Sequence, residues 1–280
     1  VIEADSMTAL AELVELLRGR RIALLTGAGC STESGIPDYR GEGTRARARN
    51  PIQHRAFVAD PTARARYWAR SAVGWPRFSD SSPNAAHRAM AALERAGLVT
   101  GLVTQNVDRL HHVAGSVRVV ELHGALAEVR CLSCGAREDR AALQQRLLRL
   151  NPEIGDRKVD LAPDGDAELE SIAGFVVPAC LACDGVLKPD VVFFGDNVPR
   201  GRVDEAFAIA DSADVLLVVG SSLTVFSGYR FVLRAVDRGQ PVAIVNLGET
   251  RGDPHARVRI DGRAGEVMPR IASALGVPVP

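Results

Sequence analysis

The stretch Arg21-Ile-Ala-Leu-Leu-Thr-Gly-Ala-Gly-Cys-Ser-Thr-Glu-Ser-Gly35 decides how this chain is read. Its first half is short, apolar and rich in branched residues, the pattern of a strand buried on both faces. The glycines that follow let backbone N–H groups approach a pyrophosphate at the carboxyl end of such a strand. The match to the dehydrogenase fingerprint is incomplete. Thr32 stands where G-x-G-x-x-G places its third glycine, and no acid follows about 20 residues later. Taken alone, the turn is also compatible with a plain glycine turn.

Outward from it, the spacing of Leu10, Leu13, Val14 and Leu17 predicts an amphipathic helix over 8–17. Further buried strands are expected at 98–104, 117–122, 215–219 and 242–246. Between them lie helical patterns at 84–96, with Ser82 as N-cap and Pro83 at the first helical position, and at 202–210 and 227–238. Strands alternating with helices predict an α/β fold, a doubly wound parallel sheet of Rossmann type. Two stretches interrupt the rhythm, an Arg- and aromatic-bearing one over 42–75 and one over 128–187, and both read as insertions. The expected organisation is a sheet domain formed by 1–41, 76–127 and 188–280, a helical module over 42–75 and a zinc-binding module over 128–187.

Of the five cysteines, four form two pairs, Cys131-x-x-Cys134 and Cys180-x-x-Cys183. That spacing aims two thiolates at one tetrahedral zinc ion, and four thiolates leave no open position, so the site reads as closed and structural. Redox dithiols are the alternative, but neither pair opens a helix after a strand. The segment over 151–172, rich in Pro, Gly and acid, reads as part of the loop between the pairs. Cys30 stands apart as a small apolar filler, with a reactive thiolate as its alternative. His111 and His112 read as surface residues at the end of a helical turn rather than as metal ligands.

Charge narrows the partners. The 280 residues carry 34 Lys plus Arg and 34 Asp plus Glu, so no bulk positive field draws the chain to nucleic acid or to an anionic membrane surface. No apolar run approaches the roughly 20 residues that span a bilayer, and the first residues are acidic. The expectation is a chain that is neither exported nor membrane-bound, cytoplasmic in a bacterium or in the mitochondrial matrix in a eukaryote.

Other motifs follow the glycine turn in order: Gly35-Ile-Pro-Asp-Tyr-Arg40, Thr104-Gln-Asn-Val-Asp108, Glu121-Leu-His-Gly124, the cysteine pairs, Lys188-Pro-Asp-Val-Val-Phe-Phe-Gly195, Gly220-Ser-Ser222 and Asn246. Together they resemble the sirtuins, NAD-dependent protein deacylases, over nearly the whole chain. Pro37-Asp38-Tyr39-Arg40, Phe194-Gly195-Asp196 and Val225-Phe-Ser-Gly-Tyr-Arg-Phe231 resemble class II, which includes the fourth mammalian, mitochondrial sirtuin.

The resemblance implies NAD as co-substrate, one structural zinc ion and acyl-lysine proteins or peptides as partners. It implies that the acyl oxygen attacks ribose C1′, that nicotinamide leaves, and that His123 acts as general base on the 2′-hydroxyl, an imidazole titrating near neutral pH being suited to that task. Asn106 and Gln105 are implied at the ribose and a water, Asp108 at the nicotinamide carboxamide, and Ile36 and Val107 as apolar walls. Gly27, Ala28, Gly29, Thr32, Gly220, Ser221 and Ser222 are implied around the diphosphate, with backbone donors among them. Asp38, Tyr39 and Arg40 are implied in a cofactor loop, and Asn246, Leu247, Gly248 and Ala264 at the adenosine side.

The peptide is expected as an added strand between 194–196 and 223–226, with Val191, Val192, Phe194 and Gly195 at the lysine channel. Tyr67-x-x-Arg70 resembles the pair by which desuccinylating sirtuins grip an acidic acyl group, the alternative being core for Tyr67 and a solvated charge for Arg70. Mono-ADP-ribosyl transfer and non-catalytic sensing of NAD or ADP-ribose are the competing functions.

Overall fold

The computed structural model describes residues 4–38, 51–154 and 173–280. Tyr39, Arg40 and the acidic stretch over 155–172 lie outside them. Strands β1 (Ile22–Thr26), β2 (Val99–Thr104) and β3 (Val119–Glu121) belong to a sheet completed later in the chain by β7 (Val215–Val219), β8 (Val242–Asn246) and β9 (Ala256–Asp261). The spatial order is β3-β2-β1-β7-β8-β9, with every pairing parallel. This is the doubly wound order, and its direction reverses between β1 and β7.

Side chains alternate between two covered faces, as the two-residue period of a strand requires. Leu24, Val215, Leu217 and Val219 face one core with Leu13, Met90 and Met268, whereas Ala23, Leu25, Leu216 and Val218 face another with Ile209, Phe231 and Val232. The first core is roofed by helices α1 (Ala4–Leu17), α4 (Ala85–Arg95) and α9 (Ala264–Ala274), the second by α7 (Arg200–Asp211) and α8 (Phe226–Asp237).

Several boundaries differ from expectation for identifiable reasons. Helix α4 is capped by Asn84 and not by Ser82. Its Oδ1 accepts from the N–H groups of Ala86 and His87, and the His87 ring closes a capping box on the Asn84 N–H. Strand β3 is shorter than 117–122 because Val117 is exposed. The edge strand β9 and helix α9 were not expected from sequence. Arg257 and Arg259 interrupt the apolar run of the strand, and Pro269 lies inside the helix.

The two insertions fold together. Helices α2 (His54–Ala59) and α3 (Pro61–Ser79) pack with a second sheet, order β5-β4-β6, made of β4 (Gly124–Cys131), β5 (Arg137–Asp139) and β6 (Leu187–Val191), and with helix α6 (Arg140–Leu150). One apolar cluster joins Phe57, Tyr67, Trp68, Leu143, Leu147 and Phe193. At its centre Arg140, 1% exposed, lies over Trp75 (4.8 Å) and Trp68 (5.5 Å) and donates to Gln144 and Ser71. The expected boundaries at 75/76, 127/128 and 187/188 therefore fall inside α3, β4 and β6. Among the described residues, no helix is long and apolar enough to cross a membrane.

The chain leaves the large sheet after β3 and enters β4 at Gly124, whose φ is +81°. An added Cβ there would stand 1.9 Å from the Asp190 carbonyl oxygen across the β4–β6 pairing. Gly97, with φ +76°, has nothing within 4 Å of the same position. Gly124→Ala should therefore cost roughly 3 kcal/mol or more, combining backbone strain with overpacking, and Gly97→Ala only about 1 kcal/mol. Urea denaturation of the two variants checks this, and equal losses would contradict it.

Candidate active site

The carboxyl ends of β1 and β7 carry the two glycine turns, and the turns touch. Gly29 N–H donates to the Gly220 carbonyl at 2.8 Å, and Gly27 N–H to Val219 at 3.2 Å. A Cβ on Gly27 would lie 2.8 Å from the Ser221 Cβ, and one on Gly29 2.9 Å from the Gly220 oxygen. The glycines of this turn are thus needed for strand-end contact. Both of these N–H groups are committed to carbonyls of the neighbouring strand end. Cys30 is wholly buried, and burial pushes its thiol far up, which fits the filler reading and not a thiolate.

Beside this turn, the end of β2 presents Gln105, Asn106 and Asp108. Asn106 Nδ2 donates to the Gly27 carbonyl (3.0 Å) and Ser31 Oγ (3.1 Å), and its N–H donates to Thr104 Oγ1. The Asp108 carboxylate accepts from Ser31 Oγ at 2.6 Å and from Leu110 N–H at 2.9 Å. Burial raises its affinity for a proton, while these hydrogen bonds pull the other way. Ile36 is buried in the small-domain cluster, with Val107 packed partly against it. Gln105 Nε2 donates to Ser221 Oγ at 2.8 Å, and Thr32 Oγ1 donates to the Gly29 carbonyl. Ser222 Oγ lies 3.2 Å from Thr224 Oγ1. At the far side of the crevice, Asn246 Nδ2 donates to the carbonyls of Leu247 and Gly248, and Ala264 opens α9 beside them.

His123 follows β3 and enters the same crevice. Its Nδ1 is 2.9 Å from the Gln105 carbonyl and its Nε2 2.7 Å from Ser227 Oγ. Burial pushes the imidazole down to about 4, the Gln105 carbonyl opposes this, and Arg202 and Arg230 add to it. The expectation of titration near neutral pH is thereby corrected. The ring is neutral throughout the physiological range, the state a base must be in before it takes a proton.

One histidine departs from expectation more sharply. His111 is 1% exposed, its ring 4.8 Å from that of His87, and its Nε2 lies 2.9 Å from Thr26 Oγ1, which in turn donates to Thr104. It therefore belongs to the polar support beneath the β1 and β2 ends, whereas His112 is exposed near Glu121, as the surface reading expects. Lys188 and Ser227 carry contacts at the site that sequence reasoning assigned to neither. Lys188, 6% exposed, stands 4.2 Å over the Phe193 ring and donates to the Val191 carbonyl, fixing the backbone that leads to Val192 and Phe194. Phe194 is exposed, and its carbonyl accepts from His54 N–H beside a parallel bridge to Gln53. Tyr67 is buried among Phe57, Trp68 and Phe193, with Arg70 half-buried further along α3.

The four paired cysteines converge, with all Sγ atoms within 4.8 Å of one another and 3.5 Å separating Cys131 from Cys183. Zinc–thiolate bonds of about 2.3 Å set tetrahedral edges of about 3.8 Å, so the cluster fits one zinc ion. The two knuckles repeat one backbone pattern. Ser133 and Ala182 N–H groups donate to the first sulfur of each pair, and Gly135 and Asp184 N–H groups close the turns onto the Cys131 and Cys180 carbonyls.

A crevice at a sheet's reversal point, floored by touching turns and faced by a neutral imidazole, places the chain in the class of dinucleotide-using enzymes. The four-thiolate module beside the crevice narrows that class. The chain belongs to the Sir2 family, whose family-wide pattern, described as "Sir2 family", matches residues 27–227. It is 53% identical to "NAD-dependent protein deacetylase 1" of Mycobacterium avium (strain 104), over 96% of each chain. It is 52% identical to "NAD-dependent protein deacylase Sirt4" of Drosophila melanogaster, over 91% of this chain and 84% of that one. Among solved structures, "Sir2-p53 peptide-NAD+" superposes with a TM-score of 0.76 at 32% identity, covering 95% of this chain and 98% of that one.

Removing the metal with a chelator, or replacing Cys131 or Cys180 by Ser, is expected to unfold the small module and lower activity indirectly, because the thiolates tie β4 to β6. Circular dichroism and protease sensitivity check this, and full activity with folded, metal-free protein would contradict it.

Proposed function

We propose that the protein is an NAD-dependent protein lysine deacylase that moves the acyl group of acyl-lysine to ADP-ribose, releasing nicotinamide and O-acyl-ADP-ribose. The carrying observation is the placement of the His123 imidazole, held by the Gln105 carbonyl at 2.9 Å and by Ser227 Oγ at 2.7 Å, at the strand ends that also present Asn106, Asp108 and the glycine turns. NAD, when bound, supplies the glycosidic bond whose cleavage makes its ribose an acyl acceptor.

The chain's own groups divide the remaining work. Asp108, held by Ser31 and the Leu110 N–H, keeps a carboxylate oriented to accept from a carboxamide N–H. Ile36 and Val107 exclude water around it, while Gln105 and Asn106 offer side-chain amides to ribose hydroxyls. Ser221, Ser222, Gly220 and Ala28 border the diphosphate position, with Thr32 behind them, and Asn246, Leu247, Gly248 and Ala264 the adenosine end. His123 takes the proton of a ribose hydroxyl. Zinc has no part in these steps and holds the small module that carries Val191, Val192, Phe194 and Gly195. The peptide adds as a strand between 194–196 and 223–226. Phe194, Val225 and Phe226 are exposed there, as apolar residues awaiting cover would be.

A panel of acyl-lysine peptides assayed with NAD, with products identified by mass spectrometry, tests the reading. Free lysine with O-acyl-ADP-ribose supports it, and ADP-ribose attached to protein with the acyl group intact would replace it by mono-ADP-ribosyl transfer.

His123→Ala should lower deacylation on the order of a hundred- to ten-thousand-fold while keeping much of the NAD affinity, whereas Asn106→Ala and Asp108→Ala should weaken cofactor positioning. Rates within about threefold of wild type would exclude His123 as base. NMR titration should find its imidazole half-protonated near pH 4, and a midpoint near the ordinary value of about 6.5 would contradict the burial argument. Because the folded value is lowered, stability tied to this group is present above about 6.5 and is lost as pH falls through about 4.

The acyl end of the channel falls to α3. Tyr67 packs on Phe193, next to Val192 and Phe194, and Arg70 follows one turn later. A guanidinium there matches an acyl carboxylate. Carboxylated acyl-lysines should turn over faster than acetyl-lysine, and Arg70→Met should reverse that order. An unchanged ranking in the mutant would return Tyr67 and Arg70 to purely structural roles.

A further inference from the structure

The general base has no free lone pair. A backbone carbonyl only accepts, so the contact of His123 Nδ1 with the Gln105 carbonyl at 2.9 Å fixes the proton on Nδ1. Nε2 is then the acceptor, and the Ser227 hydroxyl, 2.7 Å away, must donate to it. The direction of both hydrogen bonds follows from the chemistry of one carbonyl.

Ser227 is held where it is. It lies in the first turn of α8, and the next residue, Gly228, packs so closely on Gln105 that a Cβ would stand 2.4 Å from Gln105 Oε1. Gln105 thereby braces both sides of the imidazole, through its carbonyl at Nδ1 and through its side chain against the backbone that carries Ser227. A second hydrogen bond, from Gln105 Nε2 to Ser221 Oγ, ties this brace to the β7 turn.

Resting on the reading of His123 as base, we infer that Ser227 is the second member of a proton relay between the ribose hydroxyl and His123. The ribose O–H bond breaks and its proton passes to Ser227 Oγ while the Ser227 proton passes to Nε2. The serine ends neutral, His123 becomes an imidazolium, and the ribose oxygen keeps the electron pair and becomes the nucleophile. Atoms and charge balance without any further reactant. Arg202 and Arg230 are the cationic side chains acting on the ring, and they favour prompt return of the proton.

The first test uses the free protein. Imidazole ¹⁵N spectra at pH 7 should show His123 protonated on Nδ1 with Nε2 in the position of a hydrogen-bonded acceptor. Ser227→Ala should move Nε2 to the position of an unbonded acceptor without changing the tautomer. An Nε2 resonance unmoved by the substitution would overturn the contact. The second test is kinetic. Ser227→Ala should lower deacylation kcat on the order of ten- to a hundred-fold, with the KM for NAD and the single-turnover nicotinamide burst within about threefold of wild type. Ser227→Thr should recover most of the loss. Rates in H2O–D2O mixtures should curve for the wild type, as two moving protons require, and run straight for Ser227→Ala. A Ser227→Ala rate equal to or above wild type, in protein of unchanged Tm, would show that the hydroxyl only occupies the base. His123→Ala separates the two levels: if it deacylates normally, the base reading fails and the relay with it. If it is inactive while Ser227→Ala is unimpaired, the relay alone fails.

Discussion

The parallel pairing of β1 with β7 is the constraint from which the site follows. Five consecutive residues of β1 register with five of β7, so Thr26 and Val219 end level and the turns that follow occupy the same space. Only residues without a Cβ fit there, and the contact is closed by hydrogen bonds from Gly27 and Gly29 to the facing strand end. Because the sheet order reverses at this pair, helices depart to opposite faces and leave a crevice above. Gln105 and Asn106 then reach the crevice floor by registering β2 against β1, with Gln105 N–H bonded to the Thr26 carbonyl. The next strand outward, β3, delivers His123 by the same logic.

This arrangement explains which parts were legible beforehand. Strands 215–219 and 242–246 were expected with their observed limits because they are buried on both faces, and such strands must be continuous apolar runs. The cysteine pairs were legible because metal geometry is local. The motifs around Asn106, Asp108 and His123 were legible through family resemblance rather than periodicity. What escaped reading depends on contacts between distant segments. Asn84 caps α4 while also donating to the Cys30 carbonyl and Ser34, a double role that only the folded turn reveals. His111 looks like a surface residue beside His112, yet a hydrogen bond to Thr26, 85 positions away, draws it inside. Ser227 stands in the Val225–Phe231 motif, yet nothing in the sequence assigns it a role, since its partner lies more than 100 residues earlier.

The insertions show why expected domain limits and observed ones diverge. They merge into one cluster in which Phe57 and Trp68 of the first join Leu143 and Leu187 of the second. A buried guanidinium between two indoles gives that junction direction as well as area, since the cation needs ring faces and hydrogen-bond acceptors at once. The thiolates stand at the far end of β4 from His123, and β6 returns from them to Val191 opposite Gly124. The four-cysteine cluster and His123 therefore stand at opposite ends of one antiparallel strand pair, so a change in the cluster reaches His123 only through the backbone of β4 and β6.

Burial acts on the site's titratable groups in opposite senses, and the chemistry uses the difference. It disfavours charge everywhere, so it keeps the His123 imidazole neutral and pushes the neighbouring Glu121 carboxyl up to about 7. For Asp108 the same penalty is opposed by donors from Ser31 and Leu110, which favour the carboxylate. His123 and Asp108 therefore differ less in their burial than in the hydrogen bonds they make. The one backbone carbonyl at Nδ1 decides the rest, since it sets the tautomer, which makes Nε2 the acceptor, which in turn requires the hydroxyl facing it to be the donor.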